Sequence, residues 1–291
     1  MTQTSRTSCI LPALLPVALI FALLGAAPQA LRAQSAKEIV TTVVNNEIRI
    51  EAADHSRWMY RDAYKSPTKD TVKLIIQTPQ GNLSEIIEDH GQPPSAEERQ
   101  DDLNHMQQLV NDPNLRDKQR RAEAHDGQQA DELMRMLPNA FIWKIVSRDH
   151  GQITLASQVD PNFSPPSMSA RVLASMAGSL VVDEREMRLV KLNGRLLQPI
   201  NFGWGILGHL DAGGTFVIVR TEVAPGIWQI TQTHVHISGH ALFFHTIGDQ
   251  EDEITSNYKP VPDWVDLQKA AQMIRDGQLA RELGVEVRFG N

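Results

Sequence analysis

Hydrophobic and polar residues alternate along the last third of the chain, between Gly178 and Tyr258. Its apolar-rich segments read SLVVDER, RLVKLNGRLLQPINF, TFVIVRTEV, IWQITQTHVHI and ALFFHTI, and short polar or glycine-containing stretches separate them. Alternation with a period of two is typical of β-strands, and connections this short join antiparallel rather than parallel neighbours. The pattern therefore predicts an antiparallel meander.

A helical period precedes the first strands. Ser35-Ala36-Lys37-Glu38 forms a capping box, in which Ser35 would cap the helix and Glu38 would reach back to it. Apolar residues then recur at helical spacing as far as Ile48, which predicts an amphipathic helix that ends near Ala53 and packs on a sheet. The strands predicted after it are Arg57–Lys65, Val72–Thr78 and Leu83–Asp89.

The middle of the chain, residues 95–137, is highly charged and has helical propensity. Ser95-Ala96-Glu97-Glu98 is a second capping box, and Asn111-Asp112-Pro113 divides the segment into two helices. We interpret it as a helical insertion between two strands. A solvated, charged hairpin is the favoured interpretation, because runs of charge usually face water, and a mobile lid over a pocket is the alternative.

Regular structure is predicted again after the insertion. The pattern indicates strands at Ala140–Arg148 and Gln152–Val159, a short helix at Met168–Ala177 and a last helix capped by Asp263. We expect one α+β domain over residues 35–276, and a loosely ordered C-terminal tail over residues 277–291.

The first 34 residues have the layout of a cleaved secretory signal peptide. Arg6 precedes an uncharged apolar run from Ile10 to Leu24, and small residues lead to Ala33. A membrane anchor is the rival interpretation, but the run is short and contains two prolines. We therefore expect a periplasmic or extracellular protein with no stable membrane span after cleavage.

Cysteine content and charge narrow the function classes. Cys9, the only cysteine, precedes the apolar run, so lipidation is not expected, and the mature chain can form no disulfide or thiolate site. The formal net charge is −7, and loss of Arg6 and Arg32 would lower it by two further units. Such an acidic balance disfavours nucleic-acid binding, which needs a basic surface.

Two sets of residues carry a resemblance to known proteins. Gly178–Asp183 followed by Arg188–Leu192 resembles the strand, acidic turn and returning strand of the periplasmic lipoprotein-carrier superfamily of the LolA/LolB and RseB type. The glycine-rich pattern from Arg195 to Gly214 is similar to that of a group of secreted, uncharacterised bacterial proteins.

The resemblance covers most of Lys37–Tyr258 and implies an α+β fold. A strongly curved antiparallel sheet would form an incomplete barrel packed with helices. The motifs are structural, so they transfer no functional residue. The insertion at 95–137 is longer and more charged than that of the simple carriers.

Histidines are the candidate metal ligands. His234 and His236 are two apart on a predicted strand and would share one face, and Gly239 could bring His240 beside them. Neutral imidazoles so placed could hold zinc or copper. The favoured alternative is that they are polar residues on a solvated face.

A curved sheet could also enclose an apolar ligand. The candidate ligand-binding residues are aromatic or methionine side chains on predicted strands or on the short helix: Trp58, Tyr60, Tyr64, Met168, Met176, Phe202, Trp204 and Trp228. Any one of them could instead belong to the core.

Three functions compete. The leading hypothesis is an exported, non-enzymatic binding protein that holds a lipid, an acyl chain or a lipidated partner. The second is an envelope interaction or sensory protein that acts through the charged insertion. The third is a metal-dependent enzyme that uses His234 and His236. We predict no cofactor and name no catalytic residue, and the sequence does not indicate an oligomeric state.

Overall fold

The computed structural model describes residues 34–202, 208–241 and 250–287, and the described residues from Ser35 onward belong to one compact unit. Several predicted features lie outside the described residues: the signal peptide up to Ala33, the candidate ligand-binding residue Trp204, and most of the strand predicted at Ala241–Ile247. The side chains of Phe202 and His240 lie outside them as well.

Helices flank a large sheet. The helices are α1 (Ala36–Ala53), α2 (Ala96–Asn111), α3 (Pro113–Ala140), α4 (Met168–Leu173), α5 (Leu267–Arg275) and α6 (Gln278–Leu283). The strands of the N-terminal half are β1 (Trp58–Ser66), β2 (Lys69–Thr78), β3 (Gly81–Asp89), β4 (Phe141–Asp149) and β5 (Gln152–Val159). The remaining strands are β6 (Met176–Asp183), β7 (Arg188–Leu196), β8 (Ile200–Phe202), β9 (Gly208–Leu210), β10 (Thr215–Ala224), β11 (Ile227–His236), β12 (Gly239–Ala241) and β13 (Gln250–Pro260).

Ten of the strands form a single antiparallel sheet in the order β3-β2-β1-β13-β11-β10-β7-β6-β5-β4. The sheet curves without closing into a barrel, since β3 and β4 remain its two edges. The predicted α+β class and curved antiparallel sheet are confirmed. A second, three-stranded sheet contains β12, β9 and β8.

The last strand, β13, joins the two halves of the large sheet. It pairs with β1 on one side and with β11 on the other. Its first residues include Glu251, Asp252 and Glu253, so an acidic segment lies within a central strand. The charged side chains of Glu251, Asp252 and Glu253 are half-buried there.

Two separate cores stabilise the two ends of the sheet. At the β1–β3 end, Met59 and Leu74 pack with α2, α5 and α6. At the β4–β7 end, α1 and the end of α3 pack on residues such as Leu155 and Leu180. Successive side chains of β1 alternate between faces, so Trp58 and Tyr60 lie on the face opposite to Met59.

Both predicted capping boxes form. Ser35 and Glu38 exchange hydrogen bonds at the start of α1, and Ser95 and Glu98 do the same at the start of α2. At the C-terminal end, Asp266 rather than the predicted Asp263 caps the last long helix, because its carboxylate accepts from the backbone N–H of Lys269.

The C-terminal segment is better packed than the sequence predicted. Instead of a loose tail from Gly277, residues 278–283 form α6, and Leu279 and Leu283 are buried in the core at the β1–β3 end. Gly277 adopts a left-handed conformation that lets the chain turn between α5 and α6. The helix is short, so its apolar period was too brief to recognise.

Candidate functional site

A pocket of about 580 Å³ opens between the C-terminal end of α1 and the uncovered middle of the sheet. It crosses the strands from β1 through β13, β11 and β10 to β7. Its volume lies within the range of about 300–1,000 Å³ that is common for small-molecule sites. No described residue of α2 or α3 lines it, so the structure gives no support to the insertion acting as a lid over this pocket.

Aromatic side chains form the β1/β13 end of the pocket. Tyr60 stacks on Tyr258 with 5.0 Å between ring centroids, and Trp58 meets Tyr258 edge-on at 6.1 Å. Burial raises the pKa of both tyrosines, and the nearby charges of Asp62 and Glu253 raise it further. The tyrosines are therefore neutral hydrogen-bonding groups with large apolar faces at neutral pH.

Carboxylates accompany these rings. Glu253 lines the pocket, and burial, together with the charges of Asp62 and Glu251, raises its pKa. Burial also raises the pKa of Asp62, although Lys73 and Lys69 act in the opposite direction. This end of the pocket is aromatic and acidic.

Two arginines and one glutamate form the other end. Glu47 of α1 is fully buried, and its carboxylate accepts from Arg188 Nε at 2.9 Å, Arg188 Nη2 at 3.1 Å and the Leu189 backbone N–H at 2.7 Å. Arg220 Nη1 lies 2.9 Å from Glu47 Oε2. We call Glu47, Arg188 and Arg220 the buried triad; both arginines line the pocket.

Trp228 connects the triad to the pocket wall. The Arg188 guanidinium lies 5.8 Å from the centre of its ring, within cation–π distance. Its indole N–H donates to Glu186 Oε2 at 3.0 Å, and this hydrogen bond lowers the pKa of Glu186. Arg220 Nη2 donates to the Trp228 carbonyl oxygen at 3.0 Å.

The structure separates the predicted ligand-binding residues. Trp58, Tyr60 and Trp228 line the pocket together. Tyr64 is on the same face of β1 but outside the lining, where its hydroxyl donates to Glu251 Oε1 at 2.9 Å.

The predicted methionines lie elsewhere. Met168 and Met176 belong to a third apolar cluster with α4, Leu196 and Ile200. Met168 begins the short helix α4, whereas Met176, predicted on the same helix, is the first residue of β6 because the helix ends at Leu173. Neither methionine lines the pocket.

Two of the predicted metal ligands share a carboxylate. Asp252 Oδ1 lies 2.6 Å from His234 Nδ1 and 3.1 Å from His236 Nε2, and these hydrogen bonds lower the pKa of Asp252. His240 pairs with His209 through the backbone of the smaller sheet. Within the described ranges, no group of three or more histidine, cysteine or acidic residues is arranged to hold a metal ion.

The buried triad was missed by sequence reasoning, although Glu47 carries a signal. It lies four residues after Val43 and three after Val44, which places it on the apolar face of α1. A charged residue at such a position requires a buried partner. The partners, Arg188 and Arg220, are far away in the chain, and their pairing with Glu47 appears only in three dimensions.

The chain matches no protein-family model, no curated protein and no solved structure. Among the helices that the structure describes, none is both long and apolar enough to cross a membrane.

Proposed function

We propose that this protein is an exported, non-enzymatic binding protein that holds an amphipathic ligand of the lipid class in the pocket beside α1. The observation that carries the proposal is the pocket of about 580 Å³, whose lining combines aromatic rings with buried charge. Rings bind apolar groups, while fixed charges orient a polar head. The predicted signal peptide and the resemblance to lipoprotein carriers favour an envelope or secreted location.

The lining narrows the ligand class within this proposal. Trp58, Tyr60, Trp228 and Tyr258 provide apolar faces, but Arg49, Glu51, Asp54 and the triad arginines make the remainder strongly polar. A long acyl chain alone would leave these charges desolvated without partners, which is costly. The pocket fits a polar head together with the first part of an apolar chain.

Native mass spectrometry of protein purified from the envelope fraction tests the proposal. We expect a co-purifying lipid-class ligand, and re-addition of that ligand to the delipidated protein should raise the melting temperature. Trp228→Ala should weaken binding, whereas Trp264→Ala should not, because Trp264 is exposed and lies outside the pocket lining. An empty protein that no amphiphile stabilises would rule out this function.

A second candidate function is interaction with another envelope protein. It is favoured by α3, in which every residue from Arg120 to Ala130 is exposed. A photo-crosslinking residue at Gln129 should then give a discrete protein adduct in the envelope fraction, and one at the exposed Lys191 should not. Equal labelling at both positions would argue against a specific surface on α3.

A further inference from the structure

The buried triad contains one carboxylate and two guanidinium groups. Arginine stays protonated in proteins, so the three side chains carry one excess positive charge. Arg188 is 2% exposed and Glu47 is fully buried. The Arg220 side chain is 11% exposed, so the excess charge is mostly shielded from water and favours an anion that arrives in the pocket.

The hydrogen bonds of the triad leave donors for such an anion. Glu47 engages Nε and Nη2 of Arg188, so Nη1 of this guanidinium is not bound by Glu47. Arg220 Nε is buried without a hydrogen-bond partner among the described residues. Both side chains line the pocket, and planar guanidinium groups match the geometry of carboxylate and phosphate oxygens.

Other carboxylates near the pocket do not complete the triad. Glu186 interacts with Arg188 electrostatically, but its oxygens are hydrogen-bonded to Arg185 and to the Trp228 indole. Glu253 lies at the β1/β13 end, with β11 and β10 between its strand and the strand of Arg188. Glu51 and Asp54, at the C-terminal end of α1, also line the pocket, but among the described residues neither forms an ion pair with Arg188 or Arg220. The two guanidinium groups of the triad thus lie together at the β10/β7 end of the pocket.

We infer that Arg188 and Arg220 bind an anionic oxygen group, a phosphate or a carboxylate, at the β10/β7 end of this pocket. The inference rests on the proposed function in one respect: it takes the anion to be the head of the amphipathic ligand. The aromatic end, with Tyr60 and Tyr258, then contacts the apolar part. The same oxyanion chemistry could come from an amphiphile or from free phosphate.

Calorimetric titration with three probes distinguishes these sources. Octyl phosphate carries the anion and the chain, octyl glucoside carries the chain with a neutral head, and inorganic phosphate carries the anion alone. We expect octyl phosphate to bind at least about ten-fold more tightly than octyl glucoside, the effect of one charge-assisted hydrogen bond. Inorganic phosphate should bind more weakly than octyl phosphate.

Arg220→Gln is the informative variant. It removes the excess charge but leaves Glu47 with the Arg188 fork and the Leu189 N–H, so the fold should persist. Its preference for octyl phosphate over octyl glucoside should fall about ten-fold or more. Arg220→Lys retains the charge but not the planar guanidinium group. Its preference for octyl phosphate should lie between those of Arg220→Gln and the wild type.

Arg148→Gln is the matched control, since Arg148 forms an exposed ion pair with Glu184 outside the pocket lining. It should keep the full preference for octyl phosphate. Equal wild-type affinity for the two amphiphiles, unchanged in Arg220→Gln, would overturn the anion site and leave the proposed function standing. Binding of inorganic phosphate alone, lost in Arg220→Gln, would keep the anion site and overturn the lipid-class function. Binding of none of the three probes would overturn both.

Discussion

Glu47 lies on the buried face of α1, one turn after Val43 and Val44. Its carboxylate is stable there because Arg188, Arg220 and the Leu189 N–H surround it. A buried ion pair contributes little net stability compared with apolar packing, but removing one partner leaves the other charges buried and unpaired. Loss of Glu47 is therefore poorly tolerated whether or not a ligand is bound, whereas loss of Arg220 leaves the paired Glu47 and Arg188 side chains in place.

Glu47→Gln should destabilise the protein by about 3–5 kcal/mol, because two guanidinium groups would lose their buried counter-charge. The free energy of unfolding in urea measures this effect. Glu51→Gln, one turn further along α1 at an exposed position, should change it by less than about 0.5 kcal/mol. Similar losses in both variants would contradict the special role of the triad.

A second buried carboxylate makes stability depend on pH. Burial beneath α2 raises the pKa of Glu85 from 4.5 to about 7, with Arg99 lowering it and Asp102 raising it further. Glu85 Oε2 has no hydrogen-bond partner among the described residues. A carboxyl group whose pKa is raised on folding contributes stability below its unfolded pKa, and this contribution is lost as the pH rises through the folded pKa.

Glu85→Gln should therefore flatten the decline of stability between about pH 4.5 and pH 7 and should be more stable than the wild type above pH 7. Chemical denaturation at a series of pH values tests this. Glu98→Gln is a control of opposite sign, since the capping box with Ser95 lowers the pKa of Glu98. The Glu98→Gln variant should lose stability at neutral pH. A similar loss in Glu85→Gln would contradict the raised pKa of Glu85.

At the scale of elements, α3 differs from the other helices because its middle, from Arg120 to Ala130, is exposed throughout and meets the sheet through the hydrogen bond from Asn82 to Glu123. Its ends are held by Arg116, which donates to the Leu109 and Val110 carbonyl oxygens of α2, and by Leu137, which packs beside α1. Between them the helix depends on its intrinsic propensity. Gly127 lies in this exposed part, and an added Cβ would meet no atom within 4 Å.

Gly127→Ala should stabilise the protein by about 0.5–1 kcal/mol, because alanine loses less backbone entropy in a helix and has room here. The melting temperature measures the gain. Gly178→Ala should instead cost at least about 2 kcal/mol, since its Cβ would lie 1.9 Å from the Asn193 carbonyl oxygen of the neighbouring strand. Loss of stability in both variants would show that α3 requires a glycine.

At the scale of the whole molecule, the two largest cores lie at the two ends of the sheet, while the middle strands β10 and β11 contribute Phe216 and Val235 to the smaller third cluster. The strands β2 and β5 contribute Leu74, Ile76, Ile153 and Leu155 to these cores. By contrast, β13 has no buried residue along its length. Apolar burial concentrates stability at the ends, and the middle retains the exposed surface that a ligand can cover.

Hydrogen–deuterium exchange of the native protein should reproduce this distribution. Backbone amides of β2 and β5 should exchange at the slow, global rate, while those of β11 and β13 should exchange faster through local opening. A bound ligand should slow exchange in β11 and β13 selectively, because those strands line the pocket. Uniform protection across the ten strands would contradict two cores with an uncovered centre.

The sequence alone was sufficient to predict α1 with its Ser35 cap, the strand β5 over Gln152–Val159 and the antiparallel character of the sheet. These features follow from residues close in the chain, where periodicity and capping act directly. Of the candidate ligand-binding residues, Trp58, Tyr60 and Trp228 line the pocket, and their bulky aromatic side chains on strands are visible in the sequence pattern.

Only the tertiary structure decided what surrounds them. Glu47 and Arg188 are separated by 141 residues, and their contact depends on where α1 lies on β7. The place of β13 between β1 and β11 brings Glu253 and Tyr258 to the pocket, which neither the charge nor the alternation of that segment predicts. Local patterns determine which residues form a strand, whereas the order of strands depends on the packing free energy of the whole chain.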